Sequence, residues 1–268
     1  MKKKILALDM DGTLLNSRKE ITPATRAALR KIMEEGHRVI LSSGRPTPGL
    51  RPYERELELD RYGGYLLSFN GACITECRTG KILFQRLLPV ELLPDLYDFA
   101  RKNGCGLATH SETEAVSAFC PDAYISMEAG MNGFPVITVD NFVDYVDFDV
   151  YKCLMTAEPE RAVVLEGMLQ ERFGNVVGIY RSEPYYIEVV PRYVDKGEAL
   201  ERLAGIIGVE REDVVCCGDG YNDISMIKYA GVGVAMGNAQ PEVKEAADYV
   251  TLGNDEDGLV EVIHKFIL

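Results

Sequence analysis

The sequence is poor in the features that would place a chain in a membrane, on nucleic acid or around a soft metal. Its apolar runs are brief, like Gly231 to Gly237, and none approaches the ~20 residues that span a bilayer. Lys2–Lys4 ahead of Ile5–Leu8 imitates a secretory leader, but the apolar stretch ends at Asp9, well short of an h-region. Positive charge is scarce: 29 Lys and Arg stand against 42 Asp and Glu, for a net charge of −13. Contact with a phosphate backbone is carried by Lys and Arg, so nucleic acid is not expected as a partner. A small anionic substrate stays open, provided the site supplies local positive charge. There are 3 histidines, and the 7 cysteines include no CxxC pair: Cys73 and Cys77 are four apart, and Cys216 and Cys217 are adjacent. A structural zinc site is not expected. An odd cysteine count without secretory features points to free thiols and a cytoplasmic location. Neither an internal repeat nor a low-complexity segment occurs.

What is present is ordinary globular material. The chain has 268 residues, 47% hydrophobic and 26% charged. That length suits one large or two modest domains, and a core burying roughly 70–75% of the unfolded surface. Strand-like and helix-like stretches alternate. Ile5–Leu8 is a buried-strand run ending in Asp9-Met10-Asp11-Gly12-Thr13. Thr22 and Pro23 open a helix as cap and first residue, Ala28, Leu29, Ile32 and Met33 share one face, and Gly36 closes it. Arg38–Leu41 is the next strand and Tyr65–Phe69 another. Strand, helix and strand with short links imply a parallel, right-handed unit. Helix from Lys196, strand Val214–Cys217, helix Asp223–Ala230 and strands Val232–Ala235 and Tyr249–Thr251 resume the pattern. Between them, Ile82–Leu88, Ala115–Phe119, Tyr151–Thr156 and Tyr185–Val190 read as strands, with helices at Leu92–Lys102 and Glu160–Arg172. The expected fold is therefore α/β: a Rossmann-like parallel-sheet core of residues 1–83 and 191–268, with an inserted α+β domain over 84–190.

In such sheets ligands bind beyond the carboxyl ends of the strands. Four strands end there in polar residues: Asp9 and Asp11, Ser43-Gly44-Arg45, Asn70, and Asp219, Asn222 and Asp223. Lys196, opening a helix, can face the same rim. Carboxylates crowded at one rim repel by roughly 4 kcal/mol per close pair at an effective dielectric near 20, and a divalent cation relieves this. Carboxylate oxygens without histidine favour Mg²⁺ over zinc. An EF-hand-type loop begun at Asp9 is excluded, because its sixth position must be Gly and is Leu14. Lys196, Ser43 and helix amides add an anion site beside the metal. Metal, anion site and a spare carboxylate together describe phosphoryl transfer.

The same residues resemble a known family. Asp9-Met10-Asp11-Gly12-Thr13-Leu14 after an apolar strand is similar to the first motif of haloacid dehalogenase-like phosphatases. Ser43-Gly44-Arg45-Pro46 resembles the second, Val194-Asp195-Lys196-Gly197 the third and Gly218-Asp219-Gly220-Tyr221-Asn222-Asp223 the fourth. Asn70-Gly71-Ala72, Val234–Ala239, Ala247-Asp248 and Asp257-Gly258 resemble the Cof-type branch in particular. The resemblance runs nearly the whole length, with Ser43 keeping the hydroxyl where Thr is commoner.

It implies a Mg²⁺-dependent phosphatase for small phosphate esters, sugar phosphates first, acting through an aspartyl-phosphate. Asp9 would be nucleophile and metal ligand. Asp11 would bind metal through its carbonyl and act as general acid and base through its side chain. Ser43, Gly44, Met10 and Asn222 would hold the phosphoryl group, and Lys196 would neutralise charge. Asp219 would ligate the metal, and Asp223 would ligate it or support its ligands. The insert would be a C2-type cap that selects the leaving group, with His110, Arg181 and Tyr186 as the specificity residues. A partly buried tyrosine with a paired hydroxyl is the simpler reading of Tyr186, and His37 and His264, near helix ends, read as solvated.

Three other readings compete. A phosphomutase of the same superfamily would need a cap that turns a bisphosphate, which nothing in the sequence demands. A receiver-like phospho-acceptor module is about half this length, with its acceptor in mid-chain rather than at residue 9. A sugar-phosphate sensor without turnover sits poorly with an intact Asp9 and Asp11.

Overall fold

The structure is a computed structural model that describes residues 3–268. Lys2, the first of the basic residues ahead of β1, lies outside them. In chain order the elements are β1 (Ile5–Asp9), α1 (Pro23–Glu34), β2 (Arg38–Ser42), α2 (Thr47–Glu56), α3 (Leu59–Tyr62), β3 (Tyr65–Ser68), β4 (Cys73–Glu76) and β5 (Ile82–Gln85). There follow α4 (Leu93–Asn103), β6 (Gly106–His110), β7 (Ala115–Ser117), α5 (Ala123–Asn132), β8 (Val136–Thr138), α6 (Phe142–Tyr145), β9 (Cys153–Thr156), α7 (Pro159–Phe173), β10 (Val177–Glu183) and β11 (Tyr186–Pro191). The chain ends with α8 (Lys196–Ile207), β12 (Val214–Gly218), α9 (Ile224–Tyr229), β13 (Val232–Ala235), α10 (Pro241–Ala246), β14 (Tyr249–Val250) and α11 (Gly258–Val262). Two compact units result: one from the residues up to Gln85 with Asp195–Leu268, the other from Arg86–Val194.

The first unit is built on a sheet ordered β14-β13-β12-β1-β2-β3-β4-β5. The six strands from β14 to β3 are parallel, and β4 and β5 add an antiparallel edge. β1 is buried along its whole length, which explains why Ile5–Leu8 is continuously apolar rather than alternating. Leu6, Leu8, Val39 and Leu41 pack on one face with Leu29, Ile32 and Met33 of α1 and Val262 of α11. Ile5, Ala7, Ile40 and Leu67 pack on the other with Ala199, Leu200 and Leu203 of α8. From β1 the chain winds outward through β2 and β3, and later returns on β1's other side as β12. The strand order therefore switches between β1 and β12, where α/β sheets open a crevice.

The α1 start follows the sequence signals: Thr22 Oγ1 accepts from the Thr25 amide at 3.1 Å, with Pro23 first in the helix. His37 departs from its expected solvated position. It is buried just before β2, where Nδ1 accepts the Lys4 amide at 3.0 Å. Burial, then the nearby Lys3 charge, holds its pKa below the ordinary value. His264 is exposed.

The second unit carries a mixed sheet ordered β10-β11-β9-β6-β7-β8, antiparallel except for β7 and β8. Leu107, Val116, Met155, Ile187 and Val189 form one core with Leu96 and Phe99 of α4 and Leu165 and Leu169 of α7. All seven cysteines are free, and only Cys120 is exposed. Among the described residues no helix is long and apolar enough to cross a membrane.

Candidate active site

β1 delivers Asp9 to the strand end and then turns sharply. The Leu14 amide donates back to Asp9 O at 3.2 Å and the Leu15 amide to Met10 O at 2.9 Å. Gly12 makes this turn possible: it sits at φ +88°, and a Cβ there would lie 2.8 Å from Asp219 Cγ. Its carbonyl accepts from Asn238 Nδ2 at 2.8 Å. Thr13 Oγ1 donates to Asp219 Oδ1 at 2.9 Å, tying the β1 loop to the β12 loop.

Lys196, the first residue of α8 behind the Asp195 cap, is buried with its side chain wholly covered. Its ammonium donates to Asp9 Oδ1 at 2.6 Å, Asp223 Oδ1 at 2.6 Å and Ser42 O at 3.2 Å. Asp223 Oδ2 accepts the Asp219 and Gly220 amides at 3.0 and 2.9 Å, shaping the loop after β12. Asp9, Asp219 and Asp223 each offer a carboxylate oxygen, and the three oxygens lie within 4.8 Å of one another. Burial first, then the Asp223 and Asp219 charges, pushes the Asp9 pKa well above the ordinary carboxylate value, against the pull of Lys196. Asp219 is pushed up to about 6, chiefly by burial and also by Asp223. Burial opposes the Lys196 charge, but Asp223 and Asp9 outweigh it and raise its pKa. One ammonium thus serves two carboxylates of a three-carboxylate cluster. That surplus, made only of oxygen donors, suits a hard divalent cation.

Ser43 is buried just past β2, with its amide bonded to Leu67 O at 2.8 Å and its Oγ accepting the Arg45 amide at 3.1 Å. Gly44 lies against Asn70, whose Nδ2 is 3.3 Å from where a Cβ would stand. Asn70 takes a left-handed φ of 55° and accepts from Asn222 Nδ2 at 2.9 Å. Met10 is fully buried between Asp9 and Asp11, and its carbonyl caps the loop. The structure therefore gathers Asp9, Lys196, Asp219 and Asp223 directly. It places Ser43, Gly44 and Asn222 on neighbouring loops joined by Asn70.

Asp11 stands apart from the carboxylate cluster. Both its oxygens are held by Arg45, Nε to Oδ2 and Nη2 to Oδ1 at 2.7 Å each, and Lys19 Nζ adds 2.7 Å to Oδ1. Burial opposes its charge, but the Arg45 and Lys19 bonds prevail and hold its pKa below the ordinary value. Arg45, Lys19, Thr13 and Asn238, which the structure places among these residues, were assigned no role by sequence reasoning. Arg45, Thr13 and Asn238 lie inside the motifs and could have been flagged there. Lys19 carries no local signal.

The three specificity candidates fall in the second unit. His110 and Tyr186 share one sheet face and are buried. His110 Nε2 pairs with Glu128 Oε2 at 2.8 Å, and the Tyr186 hydroxyl donates to Tyr124 O at 2.9 Å. Arg181 lies on the opposite face, level with Ile187, and pairs with Glu166 of α7 at 2.7 Å. The structure does not bring Arg181 together with the other two.

The haloacid dehalogenase-like hydrolase family matches residues 6–263. The chain belongs to this family. This haloacid dehalogenase-like hydrolase is 43% identical to one of known structure from Bacteroides thetaiotaomicron, over 98% of this chain and 99% of that one, with a TM-score of 0.95. It is 32% identical to 5-amino-6-(5-phospho-D-ribitylamino)uracil phosphatase YcsE of Bacillus subtilis, over 99% of this chain and 96% of that protein. The subclass IIB sugar phosphatase BT4131 superposes with a TM-score of 0.80 at 26% identity, over 98% of this chain and 99% of that one. The enzyme is a phosphoric monoester hydrolase of the Cof-type branch.

Proposed function

We propose that the enzyme is a Mg²⁺-dependent phosphatase of small phosphate monoesters, sugar phosphates foremost, working through an aspartyl-phosphate on Asp9. The observation that carries the reading is the cluster of Asp9, Asp219 and Asp223 around the buried Lys196 ammonium. Asp9, Asp219, the Asp11 carbonyl and, directly or through its neighbours, Asp223 would hold the metal. Bound there, Mg²⁺ supplies charge neutralisation for the phosphoryl oxygens and keeps Asp9 ionised.

The chain's own residues do the rest. Lys196 fixes the Asp9 carboxylate and carries positive charge beside it. The Ser43 hydroxyl, the Met10 and Gly44 amides and the Asn222 amide group orient the phosphoryl oxygens. Asp9 attacks phosphorus and the ester bond breaks as Asp11, in its protonated form despite the Arg45 and Lys19 bonds, gives its proton to the leaving oxygen. Asp11 then takes a proton from water, whose oxygen attacks the phosphorus. Phosphate leaves and Asp9 is restored. Sugar phosphates are favoured because a sugar phosphatase and a phosphoribityl phosphatase are both among the relatives. Every phosphate ester presents the same phosphoryl group to these residues, so selectivity among esters resides in segment 86–194.

The test is phosphate release from a panel of sugar phosphates, nucleotides and vitamin phosphates, with and without Mg²⁺. Sugar and polyol phosphates should be the better substrates, and excess chelator should abolish release. Full activity in chelator would defeat the metal assignment, and a nucleotide as best substrate would defeat the sugar assignment. Asp11→Asn separates the acid–base role: it should cut kcat/KM for alkyl esters about 10²- to 10⁴-fold and spare an activated aryl ester.

A further inference from the structure

The reading of Asp11 as the acid and base leaves unexplained how a half-exposed carboxyl is held in one orientation. The cations around it answer this. Arg45 is anchored along its whole length. Its amide donates to Ser43 Oγ at 3.1 Å and its carbonyl accepts the Phe69 amide at 2.9 Å. Its guanidinium lies over the Tyr53 ring of α2, 5.6 Å from the centroid, and its side chain is 13% exposed against 39% for Asp11. The fork is thus fixed before it meets the carboxylate, and a fork with two bonds sets the plane of its partner as well as its position. Lys19 reaches the same group from a built turn. Asn16 Oδ1 accepts the Arg18 and Glu20 amides at 2.9 and 3.0 Å, and Lys19 sits at its apex with φ 61°.

The bonds are unequally shared. Among the described residues, Oδ1 receives Arg45 Nη2 and Lys19 Nζ, whereas Oδ2 receives Arg45 Nε alone. A carboxylate oxygen has two lone pairs, so Oδ2 keeps one that these cations do not take.

We infer that Arg45 is the positioning residue for the acid–base step: it fixes the Asp11 carboxyl so that Oδ2 carries the transferred proton, while Lys19 occupies Oδ1. The inference rests on the reading of Asp11 as acid and base. The proton on Oδ2 goes to the ester oxygen as the P–O bond breaks, and a proton of the attacking water returns to Oδ2. Arg45 touches neither the phosphoryl group nor the leaving oxygen in this scheme.

The test is a double-mutant cycle between Asp11→Asn and Arg45→Met in the full-length enzyme with Mg²⁺. It reads kcat/KM for glycerol phosphate and for p-nitrophenyl phosphate, whose leaving group needs no proton. Arg45→Met should lower the glycerol phosphate value about 10- to 10²-fold, part of the full acid–base contribution, and the aryl value less than about 3-fold. On the Asp11→Asn background it should add less than about 2-fold. Arg45→Lys, keeping the charge without the fork, should recover part of the loss. If Arg45→Met does not fold, Arg45→Lys carries the test, with the same selective loss at smaller size. Equal losses for both esters, or a full additional loss on Asp11→Asn, would overturn the inference. If Asp11→Asn itself spares glycerol phosphate, the acid–base reading fails. If Asp11→Asn is impaired and neither Arg45 variant is, the positioning role alone is refuted.

Discussion

Lys196 shows how far a single buried charge can organise a site. Its three donors are spent on Asp9, Asp223 and Ser42 O, so it joins the ends of β1, β2 and β12. The cluster still holds more negative than positive charge, and Asp9 and Asp219 both bind protons more readily than ordinary carboxyls. Asp9→Asn replaces the attacking oxygen with an amide and removes one member of that cluster. Turnover should fall below about 1% of wild type, while the thermal midpoint in metal-free buffer stays level or rises. Phosphate-release assays and calorimetry check this, and retention of a tenth of the activity would contradict the nucleophile assignment. Lys196→Met should act oppositely on stability. It strands two buried carboxylates, a change that costs about 3–5 kcal/mol when a buried pair is broken. Denaturant unfolding at neutral pH measures it, and an unchanged midpoint would show that the ammonium is not needed to hold the carboxylates.

At the scale of elements, strand ends and helix starts were the legible parts, because each is announced within a few residues. Thr22-Pro23 announces α1, and the switch from apolar run to Asp9 announces the end of β1. β6, β10 and α5 were not legible. Gly106–His110 mixes small, apolar and polar residues without alternation, and α5 leaves Met127 and Met131 exposed, so neither of these shows a clear period. From sequence the insert is expected to start at Phe84, inside the strand Ile82–Leu88, but Ile82–Gln85 pairs with β4 in the first unit, because strand pairing is not encoded in a strand's own residues. The Asp11–Arg45 pair lies 34 residues apart in sequence, and the turn that presents Lys19 depends on Asn16 rather than on Lys19.

The same scale gives two tests. Gly12→Ala should inactivate the enzyme without unfolding it, since the left-handed φ and the contact with Asp219 strain only the loop. An active Gly12→Ala would mean that the loop has another conformation open to it. In the second unit, Glu128 is buried between His110, at 2.8 Å, and Lys152, at 3.4 Å. Burial would raise its pKa, but the Lys152 and His110 charges outweigh this and lower it to about 2 from an ordinary 4.5. A group depressed on folding stabilises above its unfolded pKa, and that contribution is lost as pH falls through the folded one. Wild type should therefore lose on the order of 3 kcal/mol between about pH 4.5 and pH 2 through this group, a loss absent in Glu128→Gln. Urea titrations of both proteins across that range compare them. Parallel pH dependences would show that Glu128 is not the responsible group.

The whole molecule carries a net charge of −13, yet gathers Lys196, Arg45 and Lys19 around the end of β1. Repulsion from the bulk of the surface disfavours polyanions, while a single phosphoryl group meets a local concentration of cations and donors. The switch between β1 and β12 places this concentration where two adjacent strands deliver Asp9 and Asp219 to one point. The central claim is that phosphate passes through Asp9. The most direct measurement uses Asp11→Asn with Mg²⁺ and radiolabelled p-nitrophenyl phosphate, whose release needs no acid but whose intermediate lacks its base. The reaction is quenched in acid within a few turnovers, reduced with borohydride and mapped by peptide mass spectrometry. The account predicts acid-stable, hydroxylamine-labile label on the protein and homoserine at position 9. Release of p-nitrophenol without labelled protein, or reduction at any other carboxylate, would contradict it.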